Sequence, residues 1–263
     1  MSPATVEAGG VALAVDDRGS GPAVVFVHGI AAGRSAWREV VEELGDEVRS
    51  VAYDRRAYGQ SGAPEPYAGT TVAEQADDLA ELLDVLDVSG AVLVGHGLGA
   101  IVALETAIRG LRAVRAVVAV DPPVLWLSPR GPEVVADLRD AIERGARGGG
   151  PGGAVEAYLE QVAGVDALYL YGDDRADAAR SDARAFAADM VAGPSWSATR
   201  RELRAVRTPV SIVTGWRSPP VWREVGVALA GLMPAAKLIE LDTGHLAMIE
   251  QPEAVAGVVR ERL

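Results

Sequence analysis

The sequence predicts an α/β fold: a mostly parallel central sheet flanked by helices, with one helical insertion. Three observations predict it. Apolar runs alternate with amphipathic segments along most of the chain, the pattern of repeated strand–helix units. Those runs are nearly unbroken in Val, Ala, Ile and Leu, as in strands buried on both faces. Residues 123–206 interrupt the rhythm with helical patches and no strand pattern.

The elements follow in order. Val11 to Val15 and Ala23 to Val27 read as strands, the second running into His28-Gly29. Ser35 is placed to cap a helix through Leu44, and Val48 to Tyr53 is a strand ending in Asp54. Thr71 caps a helix in which Val72, Gln75, Leu79, Leu82, Leu83 and Leu86 recur at spacings of three and four. Ala91 to Val94 is a short buried strand that turns through Gly95-His96-Gly97-Leu98-Gly99 into a helix over Leu98 to Arg109. Val114 to Val120 leads to Asp121-Pro122-Pro123. Inside 123–206, helical patches cover Glu133 to Arg144, Ala154 to Val162, Arg175 to Met190 and Thr199 to Val206, with a flexible Gly145-to-Gly153 stretch between the first two. Pro209 to Thr214 and Lys237 to Leu241 are the last strands, the second followed by Gly244-His245, and a helix over Pro252 to Leu263 ends the pattern. This divides the chain into a core of 1–122 and 207–263 and a helical cap of 123–206.

Composition narrows the function classes. The chain has 263 residues, 49% hydrophobic and 24% charged, which suits one large globular domain with an insertion. It contains no cysteine, which excludes disulfides and thiolate chemistry. Its net charge of −12 argues against nucleic-acid binding. The Met1-Ser2-Pro3-Ala4 start lacks a basic region before an apolar run, and no apolar run reaches a membrane span. A cytoplasmic protein acting on a small molecule is the expectation, with the oligomeric state open.

In a parallel sheet the ligand site lies beyond the carboxyl ends of the strands. His28, Asp54, Gly97, Asp121 and His245 all fall just past such ends. Four motifs in order then resemble the α/β-hydrolase superfamily over nearly the whole chain. His28-Gly29 is similar to the family's HG turn. Asp54-Arg55-Arg56-Ala57-Tyr58-Gly59-Gln60-Ser61 resembles its D-x-R-G-x-G-x-S loop, with Ala57 in place of a glycine. The 95–99 turn resembles the nucleophile elbow G-x-S-x-G. Gly244-His245, followed by Glu250-Gln251-Pro252-Glu253, resembles the terminal histidine loop. All three histidines of the chain fall in these motifs.

The resemblance implies a serine at the elbow, and the residue there is Gly97. It implies backbone oxyanion donors at Ile30, after the HG turn, and at Leu98, after the elbow position. It implies His245 as general base. The family's usual acid position after the penultimate strand is Gly215-Trp216-Arg217-Ser218, with no carboxylate. Asp121 lies at a second acid location used in the superfamily, as in haloalkane dehalogenases and cofactor-free ring-cleaving dioxygenases. It is expected to orient His245, the alternative being that Asp121-Pro122 only ends a strand. His96 is expected to pack the elbow, His28 to be structural or to line the pocket, and Asp54, Arg56 and Ser61 to hold a loop together. Trp126, Tyr158, Phe186, Met190 and Trp196 of the insertion are candidates to line a substrate pocket, with core packing the alternative for each. No metal and no cofactor is implied.

Loss of the serine in a serine hydrolase costs about 10⁶-fold in kcat, about 8 kcal/mol. Efficient acyl-enzyme chemistry is therefore excluded. Three readings stay open. His245 and Asp121 act as a general base on a small, largely apolar carbonyl compound, removing a proton from substrate or water (lyase, cyclisation, C–C cleavage or cofactor-free oxygen chemistry). Alternatively, the chain is an ester, thioester or lactone hydrolase whose elbow serine stands replaced by Gly97. Finally, it is a non-catalytic ligand-binding descendant.

Overall fold

The computed structural model describes residues 4–263; the Met1-Ser2-Pro3 start lies outside them. Eight strands form one sheet in the order β1-β2-β4-β3-β5-β6-β7-β8. They are β1 (Ala4–Ala8), β2 (Val11–Arg18), β3 (Ala23–Val27), β4 (Arg49–Tyr53), β5 (Ala91–His96), β6 (Val114–Val120), β7 (Val210–Gly215) and β8 (Ala236–Leu241). β2 is antiparallel to both β1 and β4, and every pairing from β4 through β8 is parallel. The mostly parallel α/β sheet expected from the sequence is therefore present.

Helices α1 (Arg38–Leu44), α2 (Val72–Val85) and α3 (Leu98–Ile108) lie within the first half of the chain, and α9 (Pro220–Leu232), α10 (Ala247–Glu250) and α11 (Pro252–Arg260) within the last quarter. Between β6 and β7 the chain runs through α4 (Gly131–Ala163), α5 (Ala167–Tyr171), α6 (Asp173–Ser181), α7 (Ala183–Ser195) and α8 (Arg200–Ala205), with no strand. Among the described residues no helix is long and apolar enough to cross a membrane.

The period-two geometry of a strand explains why its apolar runs are continuous. Val25, Val27 and Leu93 face one core cluster, together with Leu79 and Leu82 of α2, Ile101 of α3 and Leu229 of α9. Val24, Phe26, Val92 and Val94 face the other, together with Val40 of α1 and Val255 and Val259 of α11. Each such side chain, fully buried, contributes roughly 1.5–3 kcal/mol relative to exposure. Thr71 caps α2 as expected, its Oγ1 accepting the Glu74 N–H at 3.0 Å.

Several details differ from the sequence reading. Ser35 lies inside a 3₁₀ turn, Arg34–Trp37, and α1 begins only at Arg38, because the buried Trp37 anchors the turn instead. The 145–153 stretch is not an open connection: helical backbone continues on both sides of a break at Gly149 and Gly150. Pro151 follows the break, where a missing N–H is tolerated. The glycines let the two halves cross closely, since a Cβ on Gly145 would lie 2.2 Å from the Gly153 carbonyl oxygen. β1 and α9 were not foreseen.

The order β4-β3-β5 reverses the direction of sheet growth between β3 and β5. Such a switch point opens a crevice at the carboxyl edge. It places the turn after β3, His28-Gly29, beside the turn after β5, Gly97, as the Val27–Gly95 register requires.

Candidate active site

Gly97 closes β5 and caps α3 with φ 54° and ψ −122°, a backbone state that costs an L-residue strain. Its N–H donates to the Val120 carbonyl at 3.0 Å, and its own carbonyl accepts from Ala100 and Ile101. Close approach fixes the next glycine: a Cβ on Gly99 would lie 2.2 Å from the Val27 carbonyl oxygen and 2.5 Å from that of His28. Around position 97 there is room. A Cβ there would meet only the Gly29 Cα, at an ordinary 3.8 Å.

β6 delivers Asp121 and the loop after β8 delivers His245. The His245 Nδ1 and Asp121 Oδ2 are 2.9 Å apart, with the two side chains 5% and 1% exposed. A carboxylate only accepts, so Nδ1 carries a proton and donates it to Asp121, and in the neutral ring the acceptor nitrogen is therefore Nε2. Asp121 is held in turn: the Ser218 hydroxyl donates to the same Oδ2 at 2.7 Å, and the Asp121 N–H donates to the Val213 carbonyl at 2.9 Å. Its backbone has φ 42°, unusual for a non-glycine residue. The Trp222 ring stacks on His245, with centroids 5.3 Å apart and planes 21° apart.

His96 faces the back of the site. Its Nε2–H donates to the His245 carbonyl at 3.0 Å, and its ring centroid is 4.5 Å from that of His245. Burial, and secondarily the neighbouring His245, push the His96 imidazole well below its ordinary pKa, so it is neutral. His28 uses both ring nitrogens: Nε2 accepts the Arg55 N–H at 2.9 Å and Nδ1–H donates to the Gly29 carbonyl at 2.9 Å. Burial, then the Arg55 charge, hold it well below the usual imidazole range. Among the described residues neither the Ile30 nor the Leu98 N–H donates to another protein group.

The loop after β4 is tied as follows. Asp54 accepts from the Arg34 side chain, the Arg34 N–H at 2.8 Å and the Gln60 N–H at 3.1 Å. Ser61 donates to the Asp54 carbonyl at 2.6 Å, and Arg56 forms a buried pair with Asp78. Ala57 adopts φ 66°, the state a glycine would take without strain.

Of the residues singled out in the insertion, Tyr158 and Phe186 meet edge to face at 5.4 Å, and Met190 packs against the same cluster. Trp126 is 43% exposed, with the Arg200 guanidinium over its ring. Trp196 packs against the core cluster that contains Leu98, and its Nε1–H donates to Glu105 of α3 at 2.9 Å. The residues not foreseen are Trp222, Ser218 as partner of Asp121, and a buried cluster of Arg55, Gln75 and Asp189. A cleft of about 470 Å³ opens elsewhere, lined by Asp16, Arg34, Asp54, Gln60 and Asp182. It contains neither the dyad nor the elbow, so the chemistry is placed by the dyad and not by that cleft. Among the described residues no cluster of three or more His, Cys, Asp or Glu is arranged to hold a metal ion.

A strand-ordered sheet with a histidine–aspartate pair beside a strained strand-to-helix turn defines a class of protein. Residues 24–258 match the alpha/beta hydrolase family, and the chain belongs to it. It is 34% identical over 158 residues to a 2-(acetamidomethylene)succinate hydrolase of Mesorhizobium japonicum, covering 59% of this chain and 53% of that protein. It is 37% identical over 115 residues to an epoxide hydrolase of Caballeronia sordidicola, covering 43% and 35%. The matches thus span about half the length of these relatives, or less. An alpha/beta hydrolase from Sphaerobacter thermophilus superposes with a TM-score of 0.80 at 25% identity, over 98% of this chain and 99% of that one. A thermophilic esterase from Thermogutta terrifontis does so with a TM-score of 0.77 at 28% identity, over 99% and 96%.

Proposed function

We propose that this protein hydrolyses a small, largely apolar carbonyl compound, an ester or lactone, by general-base catalysis without a covalent enzyme intermediate. The observation that carries the proposal is the buried His245–Asp121 contact at 2.9 Å, with Ser218 fixing the same carboxylate oxygen. Asp121 holds His245 in the tautomer whose Nε2 accepts a proton. The space above Gly97 takes the attacking water. Nε2 removes a proton from that water as its oxygen bonds to the carbonyl carbon. The oxyanion that forms lies against the Ile30 and Leu98 N–H groups. When the intermediate collapses, the leaving oxygen takes the proton back from the imidazolium, regenerating the neutral base.

General-base action contributes typically 10²–10⁴-fold, and an oxyanion hole with binding a further 10³–10⁴ over water. Both are accessible without a serine. The helical segment 123–206 serves as a cap, with Tyr158, Phe186 and Met190 offering apolar and aromatic surface to the substrate. The same dyad is able to take a proton from a substrate directly, as a lyase or oxygenase would require. Hydrolase names among the relatives support water as the proton source instead.

A second reading rests on Gly97 itself. The turn keeps a strained nucleophile geometry with room for a side chain, as expected of a hydrolase whose serine was replaced. Pre-steady-state release of p-nitrophenol from short-chain p-nitrophenyl esters tests the proposal. Linear release without a burst is expected from the native chain. Binding without any turnover, across esters and lactones, would identify a ligand-binding descendant instead.

A further inference from the structure

Arg55, at the variable position of the loop motif after β4, is 1% exposed, and its side chain reaches the turn after β3. Nε–H donates to the His28 carbonyl at 2.9 Å and Nη2–H to the Gly29 carbonyl at 2.8 Å. The His28 ring donates to that same Gly29 oxygen at 2.9 Å. The Gly29 carbonyl and the Ile30 N–H are the two ends of one planar peptide unit. A cation hydrogen-bonded to the oxygen draws electron density away from the nitrogen and strengthens its N–H as a donor, since linked hydrogen bonds polarise one another.

The counter-charge comes from the helical segment. Asp189 on α7 is also 1% exposed, and its Oδ2 accepts from Arg55 Nη2 at 2.7 Å and from the Tyr58 hydroxyl at 2.7 Å. Its Oδ1 accepts from Gln75 Nε2 at 2.9 Å, while Arg55 Nη1–H donates to Gln75 Oε1. Guanidinium and carboxylate are thus nearly saturated with partners, the condition under which a buried pair is tolerated.

We propose that Arg55 is a positioning residue that orients and polarises the Ile30 N–H, and that Asp189 makes this donor depend on the seating of α7. The inference rests on the proposal above that Ile30 binds the oxyanion. It adds that the helical segment shapes the donor as well as covering the site. A fully seated α7 completes the site; an α7 lifted from the core leaves Arg55 without its counter-charge and the Gly29–Ile30 peptide without its anchor.

The test uses two variants of the full chain. Arg55→Lys keeps the charge but not the two-pronged grip on His28 and Gly29. The double variant Arg55→Met with Asp189→Leu removes both charges together, so that no unpaired charge stays buried, and circular dichroism checks that it folds. Amide resonances are recorded on protein labelled at isoleucine, with Ile30 assigned through Ile30→Val. In both variants the Ile30 amide nitrogen resonance is expected to move upfield, with the other isoleucines unchanged. Hydrolysis of p-nitrophenyl butyrate is expected to fall about tenfold in kcat with KM unchanged, a fraction of the 10²–10³ that loss of a whole oxyanion donor costs. An unmoved Ile30 resonance overturns the proposal, and so does a moved resonance with unchanged kcat. Absence of turnover in the native chain is a separate result, which counts against the hydrolytic proposal while the resonance still decides whether Arg55 acts on the peptide.

Discussion

Placing a serine at position 97 asks whether the dyad is aimed at the elbow. The Cβ of Gly97→Ser meets only the Gly29 Cα, at 3.8 Å, so the side chain enters without displacing a neighbour. The cost is conformational. At φ 54° and ψ −122° a non-glycine residue carries roughly 1–3 kcal/mol of strain. For a chain of this size each kcal/mol is worth about 2–4 °C in Tm, so a fall of roughly 2–12 °C is expected by calorimetry. If His245 faces this position as proposed, the gain is a nucleophile beside its base, and serine and histidine act as a unit worth about 10⁶-fold in an intact triad. Stopped-flow mixing with p-nitrophenyl acetate should therefore give a burst of about one equivalent, absent from the native chain. A folded Gly97→Ser protein with no burst and no labelling by a phosphonate ester would refute the claim that His245 Nε2 faces the space above Gly97.

Further outcomes are expected from the site and its surroundings. Asp121→Asn should lower kcat by about 10²–10⁴, because the amide no longer enforces the productive tautomer. Ser218→Ala removes one of two hydrogen bonds on Oδ2, roughly 1 kcal/mol, and should lower kcat about fivefold in steady-state assays. Asp182, near α7, accepts the Gly59 N–H at 3.0 Å and has its carboxyl pushed up to about 6 by burial and then by the Asp54 charge. The folded state therefore binds this proton more tightly than the unfolded chain, and stability contributed here rises as pH falls from 7 toward 5. His28 and His96 act oppositely: burial keeps them neutral when folded, so stability is lost as pH falls below the ordinary imidazole value near 6.5. Asp182→Asn should raise Tm at pH 7 and leave a steeper acid-side decline, read from Tm against pH. Ala57→Gly relieves a left-handed alanine at φ 66°, about 1–2 kcal/mol, offset by roughly 0.4–1 kcal/mol of unfolded-chain entropy. Urea unfolding should show a net gain between about 0 and about 1.6 kcal/mol.

Much of this was legible because the site hangs on local punctuation. The turns at His28-Gly29, 95–99 and Gly244-His245 each follow an apolar run, so sequence alone places them at strand ends. Strand β1 was missed because Ala4–Ala8 is largely polar on one face, although the two-residue Gly9-Gly10 turn to β2 is a hairpin signal. Helix α9 was missed despite the Pro219-Pro220 pair that starts it. Ser218 lies 97 positions from its partner Asp121, and Trp222 stacks on His245 from a different element, so no local spacing announces either contact. Asp189 did leave a trace. It shares the buried stripe of α7 with Ala185, Phe186, Ala188 and Ala192, and a carboxylate on such a stripe needs a partner. Which partner depends on tertiary packing, which brings Arg55 and Tyr58 to it.

The most direct measurement is turnover by His245→Ala on the ester that the native chain hydrolyses, with and without added imidazole. Removing the base held against Asp121 should lower kcat by at least about 10². Free imidazole, entering the space left by the side chain, should restore part of the rate in proportion to its neutral fraction. Full activity in His245→Ala without imidazole would contradict general-base catalysis by the His245–Asp121 dyad.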